Sequence, residues 1–197
     1  MNRIFPALFL ALGLSLGLAA CGGGATGQPP LAGARIGGPF TLTDQDGRQV
    51  RDGDFAGRYR IVYFGYTFCP DVCPTDMQKI GQALHLLDKQ APRTAAKLAP
   101  IFITVDPERD TPAAIKQFVN AFHPKIIGLT GAPATIAQVE KAYAVYAKKQ
   151  PPGPGGGYMV DHVAIAYLMG PEGQPITTLP LEKDGAAIAA EIQRWVR

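Results

Sequence analysis

The chain has few of the residues from which iron–sulfur and zinc sites are built. Its 197 residues include three cysteines and three histidines. An iron–sulfur cluster is usually held by four cysteines, and a structural zinc ion usually has four ligands. The sequence has no second cysteine pair to complete such a set, so neither kind of site is expected.

Basic residues are neither abundant nor clustered. Lys and Arg number 19 against 16 Asp and Glu, which gives a formal net charge of +3. Lys148 and Lys149 form the one adjacent basic pair. Because phosphate backbones are bound by clustered Lys and Arg, this charge distribution argues against nucleic acid as a partner.

The sequence also lacks an apolar run of the ~20 residues that a membrane-spanning helix needs. The run that follows Arg3, residues 4–18, is shorter and contains a proline. Leu18-Ala19-Ala20 at its end stands directly before Cys21, and this sequence resembles a bacterial lipoprotein cleavage box. We therefore expect residues 1–20 to be a lipoprotein signal peptide and Cys21 to be lipidated, which predicts an extracytoplasmic, membrane-anchored protein. An ordinary secretory peptide or an uncleaved anchor helix is the alternative.

The remainder divides into a tether and one domain. Residues 21–38 are rich in glycine, proline and alanine and predict a flexible tether. Residues 39–197 predict a folded domain. Its strands are expected near residues 40–43, 60–66, 98–105, 126–129, 158–169 and 175–179. Its helices are expected after Pro74 and Thr111, across residues 136–146 and after Asp184.

This order of elements predicts an α/β fold. Strands that alternate with helices imply a central, mostly parallel sheet covered by helices on both faces. A cysteine pair follows the first long strand, and a β-hairpin and a helix end the chain. That combination is the thioredoxin-like arrangement.

Cys69 and Cys73 carry the chemistry. Three residues separate them, so their sulfurs are close enough to share a metal or to form a disulfide. Pro74 favours a loop rather than a helix around Cys73. The start of the next helix is expected to lower the pKa of both thiols. Two thiolates and one imidazole suit copper as Cu(I) or Cu(II).

Three histidines compete for the third ligand position. His85 lies within a predicted helix, where exposure to solvent is expected. His123 lies at a helix end, where it interacts favourably with the helix dipole without a metal. His162 begins a late strand, and in a thioredoxin-like fold the loop before that strand packs against the cysteine motif. We therefore expect His162 to be the ligand, and Met159, on the opposite strand face, to be a core residue.

Three separated motifs resemble the Sco/SenC family over about residues 36–197. They are residues 65–74 (GYTFCPDVCP), residues 105–112 (VDPERDTP), and Asp161-His162 followed by residues 167–169 (YLM). The resemblance implies a thioredoxin fold that binds one copper through Cys69, Cys73 and His162. It also implies a role in assembling the dinuclear copper centre of cytochrome c oxidase, with the copper-receiving oxidase subunit as partner and another periplasmic copper carrier as a further candidate.

Two further functions remain open. The protein could be a thiol–disulfide oxidoreductase in which Cys69 and Cys73 are the catalytic residues. The Cys-x-x-x-Cys spacing and the absence of a proline just before the late strand argue against it. A peroxidase-like role would use one cysteine, and nothing in the chain suggests a separate resolving partner. The charges of residues 106–110 are expected to mark a strand exit and helix entry, with a docking surface as the alternative.

Overall fold

A computed structural model describes residues 27–153 and 155–197. The helices are α1 (Val72–Gln90), α2 (Pro92–Ala96), α3 (Pro112–Asn120), α4 (Pro133–Ala142) and α5 (Gly185–Trp195). The strands are β1 (Thr41–Asp44), β2 (Gln49–Arg51), β3 (Tyr59–Gly65), β4 (Leu98–Thr104), β5 (Ile127–Thr130), β6 (Ala147–Lys149), β7 (Val160–His162), β8 (Ala166–Met169) and β9 (Pro175–Thr178).

A seven-stranded sheet in the order β2-β1-β5-β4-β3-β8-β9 forms the centre of the fold. Strands β3, β4 and β5 are parallel, with Tyr63 opposite Phe102 and Ile103 opposite Leu129. Every residue of β4 is buried, as are six of the seven residues of β3. Strands that are buried on both faces have continuous apolar sequences, and helices cover both faces of their sheet. The predicted α/β fold is confirmed.

Antiparallel strands complete both edges of the sheet. On one side β1 pairs with β5 and β2, and on the other β8 pairs with β3 and β9. The last two strands form the predicted C-terminal hairpin, and α5 follows it. Asp184 caps α5 by accepting a hydrogen bond from the Ala187 N–H at 2.9 Å. A Cβ at Gly185 would lie 2.9 Å from the Lys79 carbonyl oxygen, so glycine permits α5 to pack closely on α1.

Two of the predicted elements have different limits in the structure. The helix expected across residues 136–146 ends at Ala142, and Ala144 has a φ of 53°, which a helix does not tolerate. The strand expected across residues 158–169 is two strands, β7 and β8. Strand β7 pairs with β6 in a separate two-stranded sheet, which the sequence pattern did not predict.

The amino-terminal part of the domain begins earlier than predicted. The Leu31 N–H donates to the Ile176 carbonyl at 3.0 Å, and the Gly37 N–H donates to the Ala142 carbonyl at 2.9 Å. Leu31 and Ile36 also pack against the core. The second half of the expected tether therefore lies against the domain. The expected signal peptide and Cys21 lie outside the described residues. Within the described ranges, no helix combines the length and the hydropathy that crossing a bilayer requires.

Candidate metal centre

The cysteine pair lies where β3 passes into α1, at the carboxyl edge of the parallel strands. Cys73 is fully buried and Cys69 is 9% exposed. The Cys69 N–H donates to the Tyr66 carbonyl at 3.2 Å, and the Cys73 N–H points at the Cys69 sulfur at 3.4 Å. Both cysteines are free thiols. The two sulfurs therefore lie close together without a disulfide between them.

The loop expected around Cys73 is in fact helical. Helix α1 begins at Val72, so Cys73 and Pro74 belong to its first turn. The N–H groups of a first turn have no acceptor within the helix, so proline at this position costs no helical hydrogen bond. Pro74 is thus compatible with a helix that starts before it. The prediction of a loop, made because proline disfavours helical geometry at the preceding residue, was wrong for Cys73.

Burial also reverses the expected acidity of Cys73. Removal from water raises the pKa of the Cys73 thiol well above its usual value, and the neighbouring Cys69 raises it further. The favourable field of the helix start is smaller than this cost of burying a thiolate. The prediction that the helix start lowers this pKa was therefore wrong for Cys73. At neutral pH Cys73 is a thiol, and a metal that binds its sulfur must displace the proton.

His162 completes the cluster from β7. Its Nε2 lies 3.2 Å from the Cys73 Sγ, and its Nδ1 lies 3.2 Å from the Val163 carbonyl oxygen. Because the carbonyl can only accept, Nδ1 carries the proton and Nε2 presents a lone pair to the sulfur. Burial lowers the pKa of His162, so the ring is neutral at pH 7. A neutral imidazole oriented through its second nitrogen is a competent metal ligand.

These three residues form one compact group. One ligand atom from each of Cys69, Cys73 and His162 lies within 4.8 Å of the others, and the described residues contain no second group of this kind. The competing histidines lie elsewhere. His123 is buried with its Nε2 3.2 Å from Asp88 Oδ2, and the ring of exposed His85 packs against it.

Tyr66 lies between the cysteine pair and the strand that carries His162. Its ring meets the His162 imidazole edge-on, with centroids 5.7 Å apart. Its hydroxyl oxygen accepts the Val160 N–H at 3.4 Å and lies 3.9 Å from the Met159 sulfur. Met159 is 46% exposed, so the expectation that it is a core residue was wrong. It precedes the short strand β7, so the alternation of a long strand did not apply to it.

Tyr63, Asp76 and Gly65 lie in the core near Cys73, and of these only Gly65 belongs to a motif that the sequence had singled out. The Tyr63 hydroxyl donates to Asp76 Oδ2 at 3.2 Å, and burial raises the pKa of Asp76. A Cβ at Gly65 would lie 3.0 Å from the Cys73 Sγ and 2.8 Å from the Tyr63 ring. Gly65 therefore leaves the space that the sulfur occupies. Its place within the GYTFCPDVCP motif was the available signal.

The loop after β4 is hydrogen-bonded to the loop that carries Cys69. Asp110 is 1% exposed and accepts hydrogen bonds from the Thr67 N–H at 3.0 Å and from the Thr104 hydroxyl at 2.6 Å. Asp106 is also buried, whereas Glu108 is exposed and pairs with Lys149. The two aspartates thus belong to the strand exit and helix entry predicted for this loop.

Comparisons with known proteins agree with this geometry. A family model described as SCO1/SenC matches residues 28–197. The human mitochondrial protein SCO1 homolog is 41% identical over 162 residues, which cover 82% of this chain and 53% of the human protein. The chain thus spans about half the length of that curated relative.

Solved structures give the same relationship. The structure of Bradyrhizobium japonicum ScoI with copper bound has a TM-score of 0.74 and 44% identity, and covers 81% of this chain and 99% of that one. BsSco, described as a member of the Sco family of cytochrome c oxidase assembly proteins with a disulfide switch, has a TM-score of 0.62 and 25% identity over 81% of this chain and 92% of its own.

Proposed function

This chain belongs to the SCO1/SenC family, and on that premise we propose that it is a copper chaperone that binds one copper ion through Cys69, Cys73 and His162. The observation that carries the proposal is the compact group of two sulfurs and one imidazole nitrogen. It is supported by the copper bound in the related ScoI structure.

The chemistry of the three donors favours copper as the cargo. Thiolate sulfurs are soft ligands that suit Cu(I), and the added imidazole makes a set that also holds Cu(II). Zinc would normally require a fourth ligand. Since His162 is neutral and presents Nε2 to the pair, it can bind without losing a proton, whereas Cys73 must lose one.

The receiving partner that we propose is the copper-binding subunit of cytochrome c oxidase. BsSco, a 25% identical relative, is described as belonging to a family of oxidase assembly proteins. Cells that lack the present protein should lose oxidase activity when copper is scarce, and added copper should partly restore it. A normal copper content of the oxidase in such cells would contradict this role.

Metal analysis of the purified, reduced protein tests copper binding itself. We expect one copper per chain, retained through gel filtration, and a visible thiolate-to-copper absorption band for the Cu(II) form. Cys69→Ser and Cys73→Ser should abolish both. Retention of copper by both serine variants would reject the proposed ligand set.

Anchoring at the membrane is a separate part of the proposal. Leu-Ala-Ala before Cys21 supports lipidation at Cys21 and a location on the extracytoplasmic side of a membrane, such as the periplasm of a Gram-negative cell. Cys21→Ser should block fatty-acid labelling and release the protein from the membrane fraction. Unchanged labelling of that variant would show that the cysteine is not the attachment point.

Thiol–disulfide exchange is the second candidate function, because both cysteines are free and adjacent in space. In that reaction one thiolate attacks a client disulfide to form a mixed disulfide, and the second thiol resolves it as the client leaves reduced. The reaction requires Cys69 and Cys73 but not His162. Substitution of His162 therefore separates the two functions.

A further inference from the structure

Arg109 belongs to the loop after β4, which carries no metal ligand, yet its side chain joins the two parts of the chain that do. The guanidinium carbon lies 4.9 Å from the ring centre of Phe68, which precedes Cys69. It lies 3.7 Å from the ring centre of Tyr158, which stands four residues before His162. The guanidinium therefore lies between the cysteine loop and the histidine segment.

Polar contacts fix this arrangement to the central sheet. Arg109 Nη1 donates to the Tyr158 carbonyl at 2.9 Å, and Nε donates to Asp106 Oδ2. The Tyr158 hydroxyl donates to the other oxygen of the same carboxylate at 2.8 Å. Asp106 is 3% exposed and lies two residues beyond the end of β4. Arg109, Asp106 and Tyr158 thus form a closed set of contacts, here called the Arg109 clamp.

The segment that carries His162 lies outside the central sheet, which the chain rejoins at β8, four residues beyond His162. Strand β7 has three residues and pairs with β6, also of three residues, in a sheet separate from the central one. A two-stranded sheet of this size is marginally stable by itself. The segment before it, residues 151–157, consists of proline and glycine. The contacts of Tyr66 and of the Arg109 clamp therefore add to the pairing with β6 and the connection to β8 in holding His162 at the cysteine pair.

We propose that Arg109 is a positioning residue of the metal centre. Through the Arg109 clamp and its stacking on Phe68, it holds His162 within bonding distance of Cys69 and Cys73. The inference rests on the proposed copper site and adds to it a residue that touches neither the metal nor its ligands. Cu(II) needs the imidazole as a ligand, whereas two thiolates can bind Cu(I) alone. A loosened clamp therefore weakens the binding of Cu(II) more than that of Cu(I).

The contacts of Arg109 require a guanidinium. Its flat surface stacks on aromatic rings, while separate N–H groups reach the carbonyl and the carboxylate. Lysine has the same charge but a single nitrogen and no flat face. Arg109→Lys therefore breaks the clamp and leaves the net charge unchanged.

Arg60 offers a matched control. It pairs with Asp52 at 2.7 Å and stacks on Phe55 at 5.9 Å as Arg109 does with its own partners, and it is more buried than Arg109, but it belongs to β3 at the end remote from the cysteines. Arg60→Lys removes the same kinds of contact without touching the ligand segments. Any effect that arises only from lost stability should therefore appear in Arg60→Lys as well.

The experiment uses the full-length protein loaded with Cu(II) and compares wild type, Arg109→Lys, Tyr158→Leu and Arg60→Lys. Transfer of copper to an excess of a competing chelator gives the release rate, and electron paramagnetic resonance gives the nitrogen hyperfine coupling from His162. Arg109→Lys and Tyr158→Leu should each release Cu(II) about tenfold faster and show weakened or heterogeneous nitrogen coupling. A protein that carries both Arg109→Lys and Tyr158→Leu should release Cu(II) no faster than either single variant, since both substitutions disrupt the same set of contacts.

Thermal unfolding separates positioning from folding. Arg60→Lys should lower Tm while leaving the release rate and the hyperfine coupling at wild-type values. Release at the wild-type rate from both Arg109→Lys and Tyr158→Leu would overturn the inference while leaving the copper site intact. Equal acceleration in Arg60→Lys would also overturn it, because the effect would then follow stability. Wild-type protein that binds no copper would reject the proposed function, and with it the role of Arg109.

Discussion

The Nε2 of His162 lies 3.2 Å from the Sγ of Cys73, although 89 residues separate them in the chain. Cys73 is fixed in the first turn of α1 beneath the central sheet, whereas His162 belongs to a three-residue strand outside that sheet. The metal centre is therefore formed by one rigidly held pair of sulfurs and one imidazole on a separately positioned segment.

Substitution of His162 should separate copper carriage from thiol chemistry. His162→Ala should lower the affinity for Cu(II) at least about a hundredfold, because loss of a residue that only orients a metal ligand already costs up to about that much. It should still bind Cu(I) and form and reduce a Cys69–Cys73 disulfide. Copper titration, the visible spectrum and thiol counting would measure this.

His85→Ala is the control for that substitution, because His85 is exposed on α1 away from the site. It should behave as wild type in all three measurements. If His162→Ala retains Cu(II) with an unchanged spectrum, His162 is not the third ligand. If it loses copper but still supports oxidase assembly in cells, the reductase function is favoured.

Addition of one methyl group at Gly65 should displace the Cys73 side chain. The new Cβ of Gly65→Ala would lie 3.0 Å from the Cys73 sulfur and 2.8 Å from the Tyr63 ring, closer than either contact allows. We expect a loss of about 1–3 kcal/mol in the free energy of unfolding and a lower copper occupancy. Gly53→Ala, whose Cβ would meet nothing within 4 Å, is the control. Equal copper occupancy in Gly65→Ala and wild type would contradict the packing argument.

Copper binding should release protons, because burial raises the pKa of the Cys73 thiol. At least one proton should leave for each Cu(I) bound at pH 7, and the apparent affinity should rise about tenfold per pH unit for each proton released. Calorimetry in buffers of different ionisation enthalpy measures this number. His162→Ala should release the same number of protons, because burial lowers the pKa of His162 and its ring is already neutral. A smaller number in that variant would mean that the imidazole is protonated before copper binds.

Glu140 should make the domain less stable as pH rises. Burial raises the pKa of this carboxyl to about 7, and it lines a cavity of about 160 Å³ together with Asp106, Glu108 and Lys149. Because the folded-state pKa exceeds the unfolded value, the free energy of unfolding should fall between about pH 4.5 and 7. Glu140 is partly exposed, so solvent screening reduces the effect to on the order of 1 kcal/mol.

Glu140→Gln should remove this part of the pH dependence and raise the free energy of unfolding at pH 8. Denaturant titrations at pH 5 and pH 8 would measure both quantities. Glu172→Gln, an exposed position, should change neither. An identical pH profile for wild type and Glu140→Gln would show that the carboxyl ionises without cost in the folded state.

The sequence alone predicted the strands and helices around the cysteine pair and the three candidate metal ligands. The β-rich apolar runs predicted β3 and β4, and Thr111 and Asp184 marked the starts of α3 and α5. These features depend on local patterns of a few adjacent residues. The tertiary structure brings together Cys69, Cys73 and His162, the three candidate ligands that the sequence had singled out.

Only the tertiary structure decided how that site is held. The acidity of Cys73 depends on its complete burial, which outweighs the field of the helix start that the sequence made visible. The clamp of Arg109 on Tyr158 joins residues 49 positions apart, and the packing of Gly65 on Cys73 depends on the neighbouring strand. Burial and contacts between distant segments arise when the sheet and its loops assemble, so no local pattern of residues records them.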